Sequence, residues 1–385
     1  MSREPVDLGP DGLERGGHLL LQRALDLHGA ASVIGGGALD PHLRGWCRSQ
    51  GHTLRVVGDG FEVDAGTARR GRWRGAAETG PVVDRPPATW GLAARGATVE
   101  AGLDGFRFPL DDKQAVWTDE AERLYRDGAA QQWDPATAID WDAEITHPDE
   151  VEDAVVQVMT YLIENETVAL LVPARFLAQV HPHFREILQL LALQCADEAR
   201  HIEVFTRRAH LRRERLGLST VGGQRSLQTL LDEPDFALAS FLLAVLGEGS
   251  FLSLLGFLHR YGPDPVTRAV CGLAARDEAR HVAFGMAHLT RHASLDPGLH
   301  GRLADAVRRR HDALAHTAGL NEEVFDALVL LAAGSWDREA LARGHDAVVA
   351  LKRAMDEGRR GRLRALGFAE AQAEELSALH TRNFM

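Results

Sequence analysis

Cysteine is scarce in this chain. Its 385 residues hold three, Cys47, Cys195 and Cys271, too scattered for a disulfide framework or a Cys-x-x-Cys metal site. An excess of basic charge is also missing: 43 Lys and Arg stand against 55 Asp and Glu, a formal net charge of −12. That balance argues against nucleic acid as a partner. The opening residues Met1–Pro10 contain no apolar run, so no secretory signal is expected, and a reducing cytoplasm suits the free thiols. A membrane partner is not expected either. The stretch most open to that reading, Phe236 to Leu258, carries Glu248 near its middle, where a bilayer would penalise it. A helix apolar all round is what the centre of a large bundle needs.

What is present changes along the chain. Residues 1–70 read as a small α+β unit, with helices over 18–28 and 41–50, a short strand at 31–35, and a hairpin of 53–57 and 61–63 closed at Gly58-Asp59-Gly60. Within it, the stretch Trp46-Cys-Arg-Ser-Gln-Gly-His-Thr-Leu followed by Gly60-Phe-Glu-Val resembles the second half of the TusA-like bacterial sulfur carriers. In that family a Cys-Pro pair does the work, and here its place falls near Glu14 and Arg15. A persulfide relay needs a thiolate, so the resemblance implies a domain that has lost the chemistry and docks a partner or covers an active-site mouth. Residues 71–140, rich in Gly, Pro and Arg and holding Trp73, Trp90, Trp117 and Trp133, read as an extended arm anchored by tryptophan, with a short helix at 119–127. From Pro148 long helices are expected over 148–180, 182–214, 234–260 and 265–293, with a loop at 217–231. Further helices at about 298–316, 321–333, 336–357 and 369–382 would pack on that bundle.

One pentapeptide occurs twice. Asp-Glu-Ala-Arg-His stands at 197–201 and again at 277–281. Residues three apart share a helix face, so Glu198 with His201, and Glu278 with His281, can each offer a carboxylate and an imidazole to one ion. Upstream of each copy an apolar helix is interrupted by acid: Glu248 before the second, and Glu166 or Glu164 before the first. Glu166 lies on the apolar stripe of its helix and matches Glu248 when the half-repeats are overlaid, while Glu164 stays open as an alternative ligand. Two helix pairs giving four carboxylates and two imidazoles form the pattern of ferritin-like dinuclear carboxylate proteins. Four ionised Glu inside a bundle would repel each other and lose solvation. Two divalent ions restore neutrality, and the oxygen-rich donor set suits Fe(II), with Mn(II) as the other candidate. Asp197 and Asp277 are placed to take the second N–H of a ligating imidazole, and Arg200 and Arg280 to pair with those carboxylates.

Over roughly residues 130–295 this Asp-Glu-x-Arg-His pattern resembles the ferritin-like di-iron oxygenase superfamily. That superfamily includes multicomponent monooxygenases, ribonucleotide reductase small subunits, arylamine N-oxygenases and benzoyl-CoA epoxidase-type enzymes. The resemblance implies a mainly α, ferritin-like four-helix bundle and Glu166, Glu198, His201, Glu248, Glu278 and His281 as ligands. It also implies reciprocal links of Asp197 to His281 and Asp277 to His201, and a homodimer. Departures narrow the chemistry. Phe205 stands where the reductase subunits place a radical tyrosine, Ala274 where arylamine N-oxygenases add a histidine, and Leu252 where methane- and toluene-type monooxygenases have a threonine. Phe205, Phe251, Leu252 and Phe284 are candidates to line an apolar pocket, each equally suited to plain core. Gly247 and Gly249 flank Glu248 and either leave room for O2 or substrate, permit a π-bulge beside the ligand, or allow close helix packing.

The expected activity is that of an O2-dependent di-iron oxidoreductase, a monooxygenase or oxidase. Its substrate would be a small organic molecule, free or linked to a carrier or CoA. Nothing in the chain looks like a flavin or Fe–S domain, so an external reductase is expected to supply electrons. The alternative is a ferritin-like ferroxidase without an organic substrate.

Overall fold

Alternating short strands and helices open the computed structural model, which describes residues 3–35, 39–66, 75–102, 104–317 and 322–380. The strands β1 (Glu4–Asp7), β2 (Ala30–Ile34), β3 (Thr53–Val57) and β4 (Gly60–Asp64) form one sheet in the order β1-β2-β4-β3. β1 runs parallel to β2, and the other pairs are antiparallel. Helices α1 (Gly17–His28) and α2 (Leu39–Gln50) cover it through a core that includes Leu21, Leu25, Leu43, Val33, Val63 and Cys47. The hairpin closes at Gly58, whose φ of +57° suits a residue without Cβ. β1 has no counterpart in the sequence reading: Glu-Pro-Val-Asp offers one buried residue, Val6, and no alternation to detect.

The chain divides into two compact units, Met1–Pro81 with Pro87–Phe106, and Val82–Pro86 with Arg107–Met385. The stretch 71–140 is therefore shared between them and does not run as one arm. Residues 77–106 close on themselves through strands β5 (Ala77–Glu78) and β6 (Thr98–Val99), the bond of Thr79 N to Ala97 O, and that of Phe106 N to Ala88 O. Trp90 belongs to this closure, Trp117 and Trp133 belong to the helical unit, and Trp73 lies outside the described residues.

The second unit is a helical bundle. Short helices α3 (Lys113–Val116) and α4 (Ala121–Ala130) lead into α5 (Asp149–Leu177) and α6 (Arg185–Ala209). The expected loop at 217–231 contains a helix, α7 (Val221–Leu231). Gly222 and Gly223 hide it in the sequence, and Thr220 starts it by accepting from Gly223 N. Next come α8 (Phe236–Ser240), a π-helical stretch over Phe241–Glu248, and α9 (Gly249–Tyr261). α10 (Pro265–Leu295) is started by Asp264, which accepts from Thr267 N, with Pro265 at its first position. After it come α11 (Leu299–Leu314), α12 (Glu322–Ala333), α13 (Arg338–Ala365) and α14 (Glu370–His380). α5 packs along α6, and α9 along α10; outside these, α12 lies on α5 and α13 on α9.

α5 and the run Phe236–Tyr261 are long and apolar enough to cross a membrane, and 67% and 83% of their most apolar windows are buried inside the unit. Beyond the site, the fully buried Arg208 ties α6 to α5 and to the start of α10. It donates to both oxygens of Glu152 at 2.8 and 3.0 Å, to Asp264 at 2.7 Å and to Thr267 Oγ1 at 2.7 Å.

Candidate metal centre

Four elements each bring acid to the middle of the bundle. α5 contributes Glu166, α6 Glu198 and His201, the π-helical stretch Glu248, and α10 Glu278 and His281. All six side chains are buried. They fall into two overlapping groups, Glu166, Glu198, His201 and Glu278 in one, and Glu198, Glu248, Glu278 and His281 in the other. Within each group one ligand atom per residue lies within 4.8 Å of the rest.

Glu198 and Glu278 belong to both groups. Glu198 Oε2 is 3.1 Å from His201 Nδ1, and its Oε1 is 3.0 Å from His281 Nδ1. Glu278 does the same with Oε1 at 3.5 Å from His201 and Oε2 at 3.4 Å from His281. Glu166 reaches only the His201 side, at 3.4 Å, and Glu248 only the His281 side, at 4.0 Å. The arrangement is thus two four-residue cradles sharing two carboxylates.

The opposite nitrogens of the imidazoles are held crosswise. His201 Nε2 lies 3.3 Å from Asp277 and His281 Nε2 3.3 Å from Asp197. Arg200 donates to Asp197 at 2.5 Å and to Asp277 at 2.8 Å, and Arg280 to the same two at 2.9 and 2.7 Å. This square of two carboxylates and two guanidiniums is neutral in itself, so it leaves the four Glu uncompensated.

Three polar residues close the arrangement that sequence reasoning did not assign to it. Trp133 Nε1 donates to Asp277 at 2.8 Å, and its ring lies under the Arg200 guanidinium. Gln132 donates to Asp197 at 2.9 Å and accepts from Arg200 at 2.5 Å. Both lie just after α4, far away in sequence, and carry no local signal. Gln194 donates to Glu248 Oε1 at 3.0 Å. It lies one turn before Glu198 on the same face, a spacing that could have found it.

The electrostatics favour cations. Burial, then the charges of Glu198 and Glu278, pushes Glu166 well above the usual carboxylate range. Burial and Glu278 do the same to Glu248. Despite burial, the surrounding carboxylates raise His201 and His281 well above the ordinary imidazole value. Glu198, also buried, is held low, first by the charge of His281 and then by hydrogen bonding to both imidazoles. Without metal, then, protons stand in for positive charge. Glu166 Oε1, Glu248 Oε2 and Glu278 Oε2 are buried and receive no hydrogen bond. Buried orphan carboxylate oxygens are costly, and a divalent ion in each cradle would satisfy them, so the donor set fits the two-metal expectation.

Glu164 is not in the cluster. It lines an outer groove with Thr167, Leu171 and Gln228. Of the four pocket candidates, Phe284 lines a small apolar cavity of about 20 Å³, room for about one water, together with Phe176, Leu191, Phe236, Leu243 and Gln194. Phe205 is core, its ring 6.3 Å from that of His201. Phe251 stacks on Tyr161 at 5.9 Å, and Leu252 is half-buried on α9; neither lines that cavity. The glycines beside Glu248 differ in their surroundings. Gly247 lies within the π-helical stretch with little against it, whereas a Cβ on Gly249 would collide with Arg362.

Fold and donor set define a class, a helical bundle with two acid–imidazole cradles at its middle. Among solved structures, the chain is similar to an R2-like ligand-binding oxidase with an aerobically reconstituted metal cofactor, at 17% identity and a TM-score of 0.43, over 73% of this chain and 97% of that one. It is also similar to a point mutant of such an oxidase with an anaerobically reconstituted Mn/Fe cofactor, at 18% identity and a TM-score of 0.46, over 69% and 98%. The oxidase of that kind from Sulfolobus acidocaldarius matches at 16% identity and a TM-score of 0.39, over 66% and 93%. No family model and no curated protein matches the sequence.

Proposed function

We propose that the chain is an O2-dependent oxidoreductase that works through a dinuclear centre of iron, with manganese as the alternative metal. Its ligands would be Glu166, Glu198, His201, Glu248, Glu278 and His281. The observation that carries this reading is that Glu198 and Glu278 each face both imidazoles, one oxygen to each side. Two carboxylates so placed would be shared by two ions. When bound, the metal pair supplies the reduction of O2 and the oxidising equivalent for the substrate.

The chain's own residues do the rest. Asp277 and Asp197 fix the rings of His201 and His281, so that Nδ1 of each faces the cradle. Trp133 and Gln132 hold those carboxylates in turn. The apolar walls around Phe236, Leu243 and Phe284 keep water from the Glu248 side. A small organic molecule, free or attached to a carrier, would be the substrate, approaching on the side where Gln194 donates to Glu248. Electrons would come from a separate reductase, and the enzyme would act in the cytoplasm as a homodimer.

The N-terminal unit would not relay sulfur. Cys47 is buried and its thiol is pushed up to about 11 by that burial, so it supplies little thiolate. A docking role suits it better.

The test is to load the metal-free protein with Fe(II) under argon and admit O2 with a chemical reductant and a panel of small apolar substrates. Substrate oxidation coupled to O2 uptake is expected. O2 uptake that keeps pace with added Fe(II), with ferric iron accumulating on the protein and no substrate oxidised, would mark a storage protein instead.

A further inference from the structure

Glu248 differs from the other five residues of the cluster in its backbone. It ends a π-helical stretch eight residues long, a rare conformation in which the extra residue per turn rotates everything that follows. Two carbonyls just ahead of it take side-chain hydrogen bonds. Arg362 Nε donates to Val245 O at 2.7 Å. Ser250 Oγ donates to Leu246 O at 2.7 Å and accepts from Arg359 Nη1 at 3.1 Å. Both arginines lie on α13, three residues apart and so on one face. The Arg362 guanidinium also lies 2.4 Å from where a Cβ on Gly249 would be, directly after Glu248. Burial of the Arg362 guanidinium drops its pKa to about 10, a cost that ordinary helix packing does not require.

We propose that Arg362, supported by Arg359, is a positioning residue for Glu248: α13, outside the four ligand-bearing elements, clamps the π-helical stretch and sets the angle of its carboxylate. The inference rests on the dinuclear reading above. It gives the C-terminal helices a task at the metal site.

The experiment uses full-length metal-free protein titrated with Co(II), followed by visible absorption, with far-UV circular dichroism as a check on folding. Arg362→Met should keep the wild-type dichroism and the first binding step, and weaken the Glu248-containing step by roughly 10–100-fold, the usual effect of losing a partner behind a ligand. Arg362→Lys, which can still donate to Val245 O, should recover most of that loss. Wild-type affinities and Co(II) spectra in Arg362→Met would overturn the proposal, as would equal losses in both steps. Should Arg362→Met fail to fold, Gly249→Ala pushes the guanidinium aside and must weaken the same step; an unchanged step overturns the clamp. A wild-type protein that binds no Co(II) would defeat the metal-centre reading itself, an outcome distinct from loss of the clamp alone.

Discussion

Asp277→Ala is the sharpest probe of the square behind the imidazoles. The carboxylate accepts from Trp133, Arg200 and Arg280 and faces His201 Nε2. Those contacts hold it well below the usual carboxylate range in spite of its burial. Without it, two guanidiniums that are 9% and 8% exposed face Asp197 alone, two positive charges against one negative. Breaking a buried pair by removing one partner costs about 3–5 kcal/mol, and the arginines' small exposure places the expected loss at the low end, about 3 kcal/mol. Equilibrium urea unfolding of the metal-free protein, followed by circular dichroism, reads it. Adding Arg280→Met restores one charge of each sign. The double variant should therefore be more stable than the sum of the single losses by about 1 kcal/mol or more. A single-variant loss below about 1 kcal/mol, or strict additivity, would mean that water and not the arginines compensates Asp277.

Metal affinity should rise with pH. Glu166, Glu248, His201 and His281 all hold protons above their ordinary ranges, and a cation must displace them. Affinity therefore falls as pH drops through and below the raised imidazole range. Calorimetry in buffers of different ionisation heat should detect proton release, and none would contradict the assignment. Glu166→Gln should remove an ion from the His201 cradle while Glu164→Gln leaves metal content unchanged; the reverse would exchange the two residues. Arg208→Met should cost about 3–5 kcal/mol by leaving Glu152 and Asp264 buried without their partner, yet leave the metal count unaltered in the protein that still folds.

The parts of this molecule legible in the sequence are those set by spacing along one helix. A repeated pentapeptide with Glu and His three apart needs only helical periodicity to become two half-sites, and the apolar stripe of α5 was enough to prefer Glu166 over Glu164. Contacts made across the fold left no such trace. Trp133 and Asp277 are 144 residues apart, and Arg208 meets Glu152 across 56, so no local pattern joins them. Helix α7 was obscured because Gly222 and Gly223 in its first turn read as loop. β1 was missed because a short parallel strand is defined by its neighbour and hardly by its own residues. The π-helical stretch left one clue, the glycines around Glu248, of which Gly247 lies within it and Gly249 packs against Arg362.

The central claim is that two cradles share Glu198 and Glu278, and counting bound ions tests it most directly. Anaerobic titration of the metal-free protein with Fe(II), with bound iron measured after removal of the excess, should saturate at two ions per chain, and Glu198→Ala should lose both steps together because its carboxylate serves both cradles. Saturation far below two ions, or a Glu198→Ala protein that binds as the wild type does, would contradict the account.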